Sequence, residues 1–357
     1  MKRFLHIVLF IGIAYSQLDN TETISKTGTT SAQFLKIGAD ARGSSMGNAF
    51  TAMAGGISSM YWNPAGMTSI RKMEAVFLSS DWIAGITYNY AAFGLNLGQS
   101  GIIGLSMTSL STPEDLVRTV EKPNGTGEYF DANDLAINLS YARRLTNKFS
   151  LGGNIKYIRQ SIWHANANSV AADLGALFIT PFNNIRLGAS LSNYGSDMQM
   201  AGRNQKFSVD PDPTNEGNVE FVNAMYETDK FPLPLIFRVG LAGEIINTDN
   251  NRLSFAVDAL HPNDNLEWVN AGLEYASMNM FFLRAGMSTL FREDTEEGLT
   301  LGSGLHYKLA GTSTQIKLDY SYSTFGKLKN VQRLSIGVHF YSIASFFCFP
   351  YLENKLA

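Results

Sequence analysis

The chain has 357 residues, a formal net charge of −3 and one cysteine, Cys348. This charge argues against a nucleic-acid partner, and a single cysteine excludes an intramolecular disulfide framework. Charged residues make up 17% of the chain, below the roughly 25% of soluble domains. Together with 32 glycines and 12% aromatic residues, this low fraction of charged residues favours a protein whose surface is not exposed to water alone.

The first 16 residues are predicted to be a secretory signal. Two basic residues precede an apolar run at residues 4–13, and the small residue Ser16 completes a cleavage site. The run is too short to span a bilayer, so it is a removable signal rather than an anchor. The mature chain is expected to begin at Gln17. No later segment is apolar for about 18 residues, so no transmembrane helix is predicted.

Residues 34–67, FLKIGADARGSSMGNAFTAMAGGISSMYWNPAGM, are rich in small residues and nearly uncharged. They show neither strand alternation nor an ordinary amphipathic stripe, and their small side chains allow short helices to pack closely against a wall. Asn63 precedes Pro64 and is therefore restricted to an extended backbone, so a helix must stop there. We predict a hatch, or plug, over residues 17–72.

From residue 73 onward, apolar and polar residues alternate in segments longer than usual soluble strands. In residues 314–323, for example, Ile316, Leu318 and Tyr320 share one face, while Lys317 and Asp319 lie on the other. Fourteen strands are predicted, at residues 73–80, 85–97, 101–111, 131–145, 149–164, 168–180, 184–195, 233–247, 251–261, 266–277, 280–291, 298–310, 314–325 and 331–340.

The connections between these strands differ according to parity. Tight turns follow the even-numbered strands, whereas variable loops follow the odd-numbered ones, including about 20 residues at 111–130 and about 37 at 196–232. Outer-membrane barrels are built in this way, with short periplasmic turns and long external loops. We therefore predict a closed antiparallel β-barrel over 73–341, a tail at 342–357, and both chain ends on the periplasmic side. The alternative is a soluble β-sandwich or propeller, but its strands would not carry charge along one whole face.

A fourteen-stranded barrel is wide enough to leak unless its lumen is filled, so we expect the hatch to lie inside it. The lumen-facing candidates carry both signs of charge. They are Asp173, Arg186, Arg238, Glu244, Asp258, Glu274, Arg284, His306, Lys308, Lys317, Asp319 and Arg333. Arg42 of the hatch is expected to contact an inward carboxylate such as Asp258 or Glu274, in a structural role.

The hatch sequence resembles the N-terminal hatch of FadL-like outer-membrane barrels, most closely the PorV/PorQ branch. The matching positions are Gly38, Ala39, Ala41, Arg42, Met46, Gly47, Ala49, Phe50, Tyr61, Trp62, Asn63, Pro64, Ala65 and Gly66. The resemblance implies a monomeric fourteen-stranded barrel in the Gram-negative outer membrane, in contact with lipid and lipopolysaccharide. Two features depart from it: Gly55 and Gly56 stand where the family usually has acidic residues, and a tail follows the terminal aromatic Phe340.

Two functions follow from the resemblance. One is passive uptake of hydrophobic small molecules, gated by the hatch, and the other is an accessory role in type IX secretion with secreted protein as cargo. We favour the first. The hatch candidates are Arg42, Met46, Phe50, Trp62, Asn63 and Pro64, and the external-loop candidates are Phe207, Phe221, Met225 and Tyr226.

No catalytic, metal or cofactor site is predicted. The histidines lack metal-ligand spacing, and His306 and His339 are assigned to the lumen, away from the outer wall where a barrel lipase places its Ser–His pair. The acidic loop runs at 210–213 and 292–297 suit either bound calcium or plain solvation, and we favour solvation. Cys348 is interpreted as an inert thiol.

Overall fold

Fourteen antiparallel strands close into a barrel in the computed structural model, which describes residues 26–53, 55–214, 221–292, 295–328 and 330–341. Each strand pairs with its neighbours in the chain, and the last strand pairs with the first to complete the ring. The predicted fold class and strand number are thereby confirmed. The predicted signal, the C-terminal tail and Cys348 lie outside the described residues.

The strand bounds follow the predicted ones closely. They are β1 Met73–Asp81, β2 Thr87–Asn96, β3 Ile102–Ser111, β4 Ala132–Arg144, β5 Phe149–Ile162, β6 Ala165–Ile179, β7 Arg186–Gly195, β8 Ile236–Asn247, β9 Asn251–Pro262, β10 Trp268–Ser277, β11 Phe281–Leu290, β12 Glu297–Lys308, β13 Thr314–Phe325 and β14 Val331–Phe340. Closure leaves no free sheet edge, which is what a strand structure needs in hydrocarbon.

Side chains alternate between the outer wall and the lumen along each strand. On β13 and β14, Leu318, Tyr320 and Ile336 are exposed on the outer wall, whereas Asp319 and Arg333 are buried. The outer wall is thus an apolar surface suited to lipid, and the polar and charged side chains lie inside the barrel.

The segment before β1 is built from single helical turns. These are a 3₁₀ turn at Gln33–Lys36, helix α1 at Ala41–Ser45, helix α2 at Ser59–Trp62 and a 3₁₀ turn at Pro64–Ser69. Asn63 is extended between the last two, as predicted, with φ −158° and ψ 104°. No helix among the described residues is long and apolar enough to cross a membrane.

Two connections at the long-loop end carry short strands of their own. In the loop at 196–235, Met198–Gln199 pairs with Lys230–Phe231, and Lys206–Val209 pairs with Val222–Met225. A further pair, Asp115–Leu116 with Tyr129–Phe130, lies in the loop between β3 and β4. This end of the barrel is the external one, because all the connections at the other end are short turns.

Candidate functional site: the lumen and its hatch

The hatch lies inside the barrel and packs on a ring of glycines in the wall. A Cβ atom added to Gly286 would come within 2.2 Å of the hatch backbone at Met46, and one added to Gly152 within 2.5 Å of the backbone at Pro64. Wall glycines that meet either a backbone or a side-chain atom of the hatch in this way are Gly94, Gly104, Gly152, Gly175, Gly188, Gly240, Gly272, Gly286 and Gly302. They lie on nine different strands, so the hatch is seated against most of the circumference.

The Trp-Asn-Pro-Ala-Gly turn of the hatch is attached to the wall chiefly through Asn63. Its side-chain amide donates to the carbonyl of Thr51 in the hatch and to that of Ala176 on β6, both at 2.9 Å. Its side-chain oxygen accepts the N–H of Ala65 at 3.1 Å, which starts the following 3₁₀ turn. The Pro64 ring lies against Gly175 of the wall. One asparagine therefore closes the local turn and holds the hatch to the barrel.

Trp62 and Phe50 form the apolar core of the hatch beside this turn. The two rings meet edge to face with centroids 6.0 Å apart, and Met46 packs in the same buried cluster. The indole Nε1 of Trp62 donates to Asp40 at 3.1 Å, and Asp40 also caps helix α1 by accepting the N–H of Gly43. The core is thus tied to the first helix by a single carboxylate.

Arg42 joins the hatch to the opposite wall through Glu274 on β10. Its Nε and Nη2 donate to the two carboxylate oxygens at 2.7 and 2.8 Å. Arg284 donates to the same carboxylate at 2.8 Å and to Asp319 at 2.7 Å, and Arg252 lies 3.3 Å from it. The Glu274 side chain is 0% exposed. Three arginines therefore share one buried carboxylate, and one of the three belongs to the hatch.

Asp258 on β9 holds the hatch without a charged hatch partner. Its carboxylate accepts the backbone N–H groups of Phe50 and Thr51, each at 2.8 Å. Of the two carboxylates predicted as possible partners of Arg42, Glu274 binds the guanidinium and Asp258 binds the backbone of the hatch. Such charge-assisted bonds are stronger than neutral ones, so both contacts stabilise the seated hatch.

Two further lumen candidates, His306 and Lys317, lie in the lower, short-turn half of the barrel. His306 lies 3.3 Å from Asp319, and Lys317 donates to Glu74 on β1 at 2.8 Å. Lys308 is exposed at the lower rim. In the part of the chain that the structure describes, no three histidine, cysteine or acidic side chains are grouped to hold a metal ion.

The first part of the described hatch lies at the external end of the barrel, whereas the chain ends, predicted to be periplasmic, lie outside the described residues. We call residues 30–37 the strap. The strap is held by Asp264, which follows β9: Thr30, Gln33 and Lys36 all donate to its carboxylate, at 2.7–2.9 Å. Residue counting could not reveal this, because the direction in which the hatch runs depends on tertiary contacts.

The electrostatics of Asp264 favour the closed strap. Burial by itself would raise the pKa of this carboxyl, but the hydrogen bonds from Lys36, Gln33 and Thr30 outweigh that effect and lower the pKa. A carboxyl group whose pKa is lowered in the folded state stabilises the fold at pH values above the ordinary pKa of aspartate. This stabilisation is lost as the pH falls through the lowered pKa. The strap is therefore held throughout the neutral range.

A cavity of about 330 Å³ remains above the hatch at the external mouth. The strap forms one side of it through Phe34 and Ile37, and the tops of β1, β3, β11, β12, β13 and β14 form the other sides. Its wall residues are Gln33, Phe34, Lys36, Ile37, Gly38, Asn48, Trp82, Ile83, Ile86, Leu110, Ser288, Glu297, Gly298, Thr300, Ser323, Thr324, Phe325 and Arg333. Most of the predicted site residues lie elsewhere, and of this set only Arg333 was assigned to the lumen from sequence.

The four loop candidates lie together on the external hairpin, apart from the cavity. Phe207 and Tyr226 stack with ring centroids 4.6 Å apart. Phe221, Met225 and Tyr226 are exposed on the same hairpin. The hairpin thus presents an apolar surface to the outside, separated from the hatch candidates in the lumen.

Comparisons with known proteins agree with this architecture. A family model described as type IX secretion system protein PorV matches residues 19–184. Among solved structures, the CymD monoaromatic hydrocarbon channel has a TM-score of 0.53 and 13% identity, covering 85% of this chain and 99% of that one. The Pseudomonas putida toluene transporter TodX has a TM-score of 0.51 and 13% identity, covering 85% and 96%. No curated protein matches the sequence.

Proposed function

Because this chain is an outer-membrane barrel with a PorV-type N-terminal half and a FadL-like fold, we propose that it is a passive transporter of hydrophobic small molecules, gated by its hatch. The observation that carries the proposal is the external cavity. Trp82, Phe325 and Leu110 contribute apolar wall, and a few polar groups accompany them. Binding sites for small molecules have this character and this order of volume.

The hatch is proposed as the gate because of how it fills the lumen beneath the cavity. Wall glycines touch its backbone, so a solute cannot pass between the two without displacement of the hatch. The hatch is held by separable polar contacts, chiefly Arg42 with Glu274 and Asp258 with the backbone at Phe50. A conformational gate needs such a discrete closed state that competes with an open one. We propose no catalytic role.

A second candidate is an accessory role in type IX secretion, which the family match favours. The external hairpin supports it independently, since Phe207 and Tyr226 stack on one of its faces and are both exposed. Contiguous exposed apolar residues commonly mark protein-binding surfaces. In this role the hairpin would hold secreted protein at the cell surface, and the barrel would serve as its membrane anchor.

Uptake by Gram-negative cells that carry the barrel in their outer membrane tests the first function, because the lipopolysaccharide leaflet slows apolar solutes that cross a phospholipid bilayer unaided. Toluene is the probe, and Ile86→Asp places a charge on the apolar wall of the cavity. Leu328→Asp is the matched control, because Leu328 is an exposed aliphatic residue in another external turn. We expect faster toluene entry with the wild type and the control than with Ile86→Asp. Equal entry into cells without the barrel and into cells with any of the three proteins would reject transport.

Purification from native membranes distinguishes the two candidates. Lipid-like material bound inside the barrel supports transport, whereas a secretion protein that co-elutes in stoichiometric amount supports the accessory role. Ile86→Asp should reduce the first and leave the second unchanged, because Ile86 lies in the cavity and the hairpin lies outside it.

A further inference from the structure

We propose that the external cavity binds a small zwitterion with an apolar body, such as an apolar α-amino acid, between Arg333 and Glu297. The carboxylate of the ligand would meet Arg333, its ammonium group would meet Glu297, and its apolar part would lie against Trp82 and Phe325. This inference goes beyond the proposed transport function, because it requires a binding site and not passage through the hatch.

Arg333 on β14 is a buried cation whose hydrogen-bonding capacity is only partly used. Its residue is 4% exposed, its Nη1 donates to Ser323 at 3.1 Å, and its guanidinium lies 5.1 Å from the ring centroid of Trp82. Its Nε has no hydrogen-bond partner. Within the described ranges it makes no ion pair with any carboxylate. A buried guanidinium in this state favours an anion that enters the cavity, since the fork can bind a carboxylate through two N–H groups.

Glu297 at the start of β12 supplies the opposite charge to the same cavity. The pairing of β12 with β13 shifts between Glu297 and Thr300, so that Glu297 stands opposite Phe325 and Thr300 opposite Ser323. This bulge adds one residue to β12 and places Glu297 on the lumen side with Phe325. Bulges commonly re-aim a side chain in this way. No hydrogen bond or ion pair of the Glu297 carboxylate occurs among the residues described.

The two charges are positioned two residues apart along β13. The guanidinium of Arg333 contacts Ser323, and Glu297 pairs with Phe325, two residues further along β13. Two residues of an antiparallel strand span about 7 Å. A carboxylate and an ammonium on one carbon, each with a charge-assisted bond of about 2.8 Å, bridge such a gap. Arg333 and Glu297 can thus bind one molecule without pairing with each other.

The other features of the cavity favour an apolar body on this head group. The rings of Trp82 and Phe325 meet edge to face at 5.2 Å. Lys36 also borders the cavity, but its ammonium is already paired with Asp264 at 2.8 Å. A plain anion would therefore leave Glu297 unpaired, and a plain hydrocarbon would contact only the apolar part of the wall.

Equilibrium dialysis of the detergent-purified barrel against three related probes tests this proposal. L-Phenylalanine carries both charges, 3-phenylpropionate lacks the ammonium group and 2-phenylethylamine lacks the carboxylate. We expect phenylalanine to bind at least about tenfold more tightly than either single-charge probe, because each lost contact is a charge-assisted hydrogen bond. Saturable binding with this order supports the proposal. Equal affinity of all three probes, or no saturable binding of phenylalanine, overturns it.

Two variants assign the charges separately. Glu297→Gln should remove the preference for phenylalanine over 3-phenylpropionate and keep that over 2-phenylethylamine, and Arg333→Met should do the reverse. Barrel folding is checked by the gel mobility of unheated protein. If Arg333→Met fails to fold, Glu297→Gln alone decides, since Glu297 lies at the half-buried rim. A Glu297→Gln barrel that keeps both preferences overturns the proposed head-group site.

Discussion

Glu274 is the residue whose replacement should release the hatch most directly. Its buried carboxylate contacts Arg42, Arg284 and Arg252, and only Arg42 belongs to the hatch. Glu274→Gln keeps the shape of the side chain and removes its charge. Arg284 keeps its bond to Asp319 at 2.7 Å, so the loss falls mainly on the contact between the hatch and the wall.

The size of the effect follows from the burial of this cluster. Removing one partner of a buried ion pair typically costs about 3–5 kcal/mol, because the remaining charge is left uncompensated. A displaced hatch would let Arg42 reach water and avoid that cost. Since 1.4 kcal/mol corresponds to a factor of ten, we expect the ratio of displaced to seated hatch to rise by about two to three and a half orders of magnitude.

Single-channel conductance in planar bilayers measures this shift. Glu274→Gln should show frequent openings that the wild type lacks. The matched control is Glu267→Gln, which removes an exposed carboxylate paired with His261 at 2.7 Å and should cost at most about 1 kcal/mol. If Glu274→Gln conducts like Glu267→Gln and the wild type, with both barrels folded, the ion cluster does not hold the gate.

Three further outcomes are expected. Deletion of residues 34–66 should raise permeability to small hydrophilic solutes, and unchanged conductance in planar bilayers would show that the hatch does not block the lumen. Ile336→Arg at the lipid-facing wall should lower the free energy of unfolding by about 2–4 kcal/mol and lumen-facing Ser335→Arg by much less, so the opposite order in urea unfolding would refute the register. Phe221→Ser combined with Met225→Ser should weaken capture of ligand or cargo without affecting barrel assembly. Surface protease cleavage in the loop, with uptake and secretion unimpaired, would confirm the location and reject the role.

The barrel could be predicted because its determinants are local and repeated. Alternation fixes which side chains face lipid, and a hydrogen-bonded sheet in hydrocarbon has no option but to close. The same period of two placed Asp319 and Arg333 on the lumen face, where the structure has them buried. The extended backbone of Asn63 could also be predicted from the local sequence, because a residue before proline is restricted to extended conformations.

The contacts of the hatch could be predicted only in part. The charge of Arg42 indicated that this hatch residue needs a carboxylate on the lumen face of the wall, and Glu274 was one of the two candidates. The glycines of the wall could have predicted where the hatch packs. Gly152, Gly175 and Gly286 occupy lumen-facing strand positions, where the absence of a side chain marks the close approach of another backbone. The anchoring of the strap on Asp264 left no local pattern at all.

The position of Glu297 shows why the alternation of apolar and polar residues could not predict the cavity. Counted outward from Thr300, Glu297 falls on the lipid side, and its place in an acidic run suggested a solvated loop. One extra residue in β12 reverses that assignment and turns the carboxylate toward Arg333. A single bulge changes the face of every residue beyond it, and it depends on the partner strand rather than on the sequence around Glu297.

The hatch runs from the external cavity down to the contacts that hold the proposed gate. Phe34 and Ile37 of the strap border the cavity, and the same segment is held at the mouth by Asp264. From there the chain descends to the contact of Arg42 with Glu274. A ligand in the cavity therefore touches the hatch at the strap and also at Gly38 and Asn48. If displacement of the strap changes the affinity of the cavity, occupancy must change the strap equilibrium by the same factor, since coupling between two sites is reciprocal. The strap is thus a part of the hatch through which a ligand at the external mouth can act on the proposed gate by direct contact.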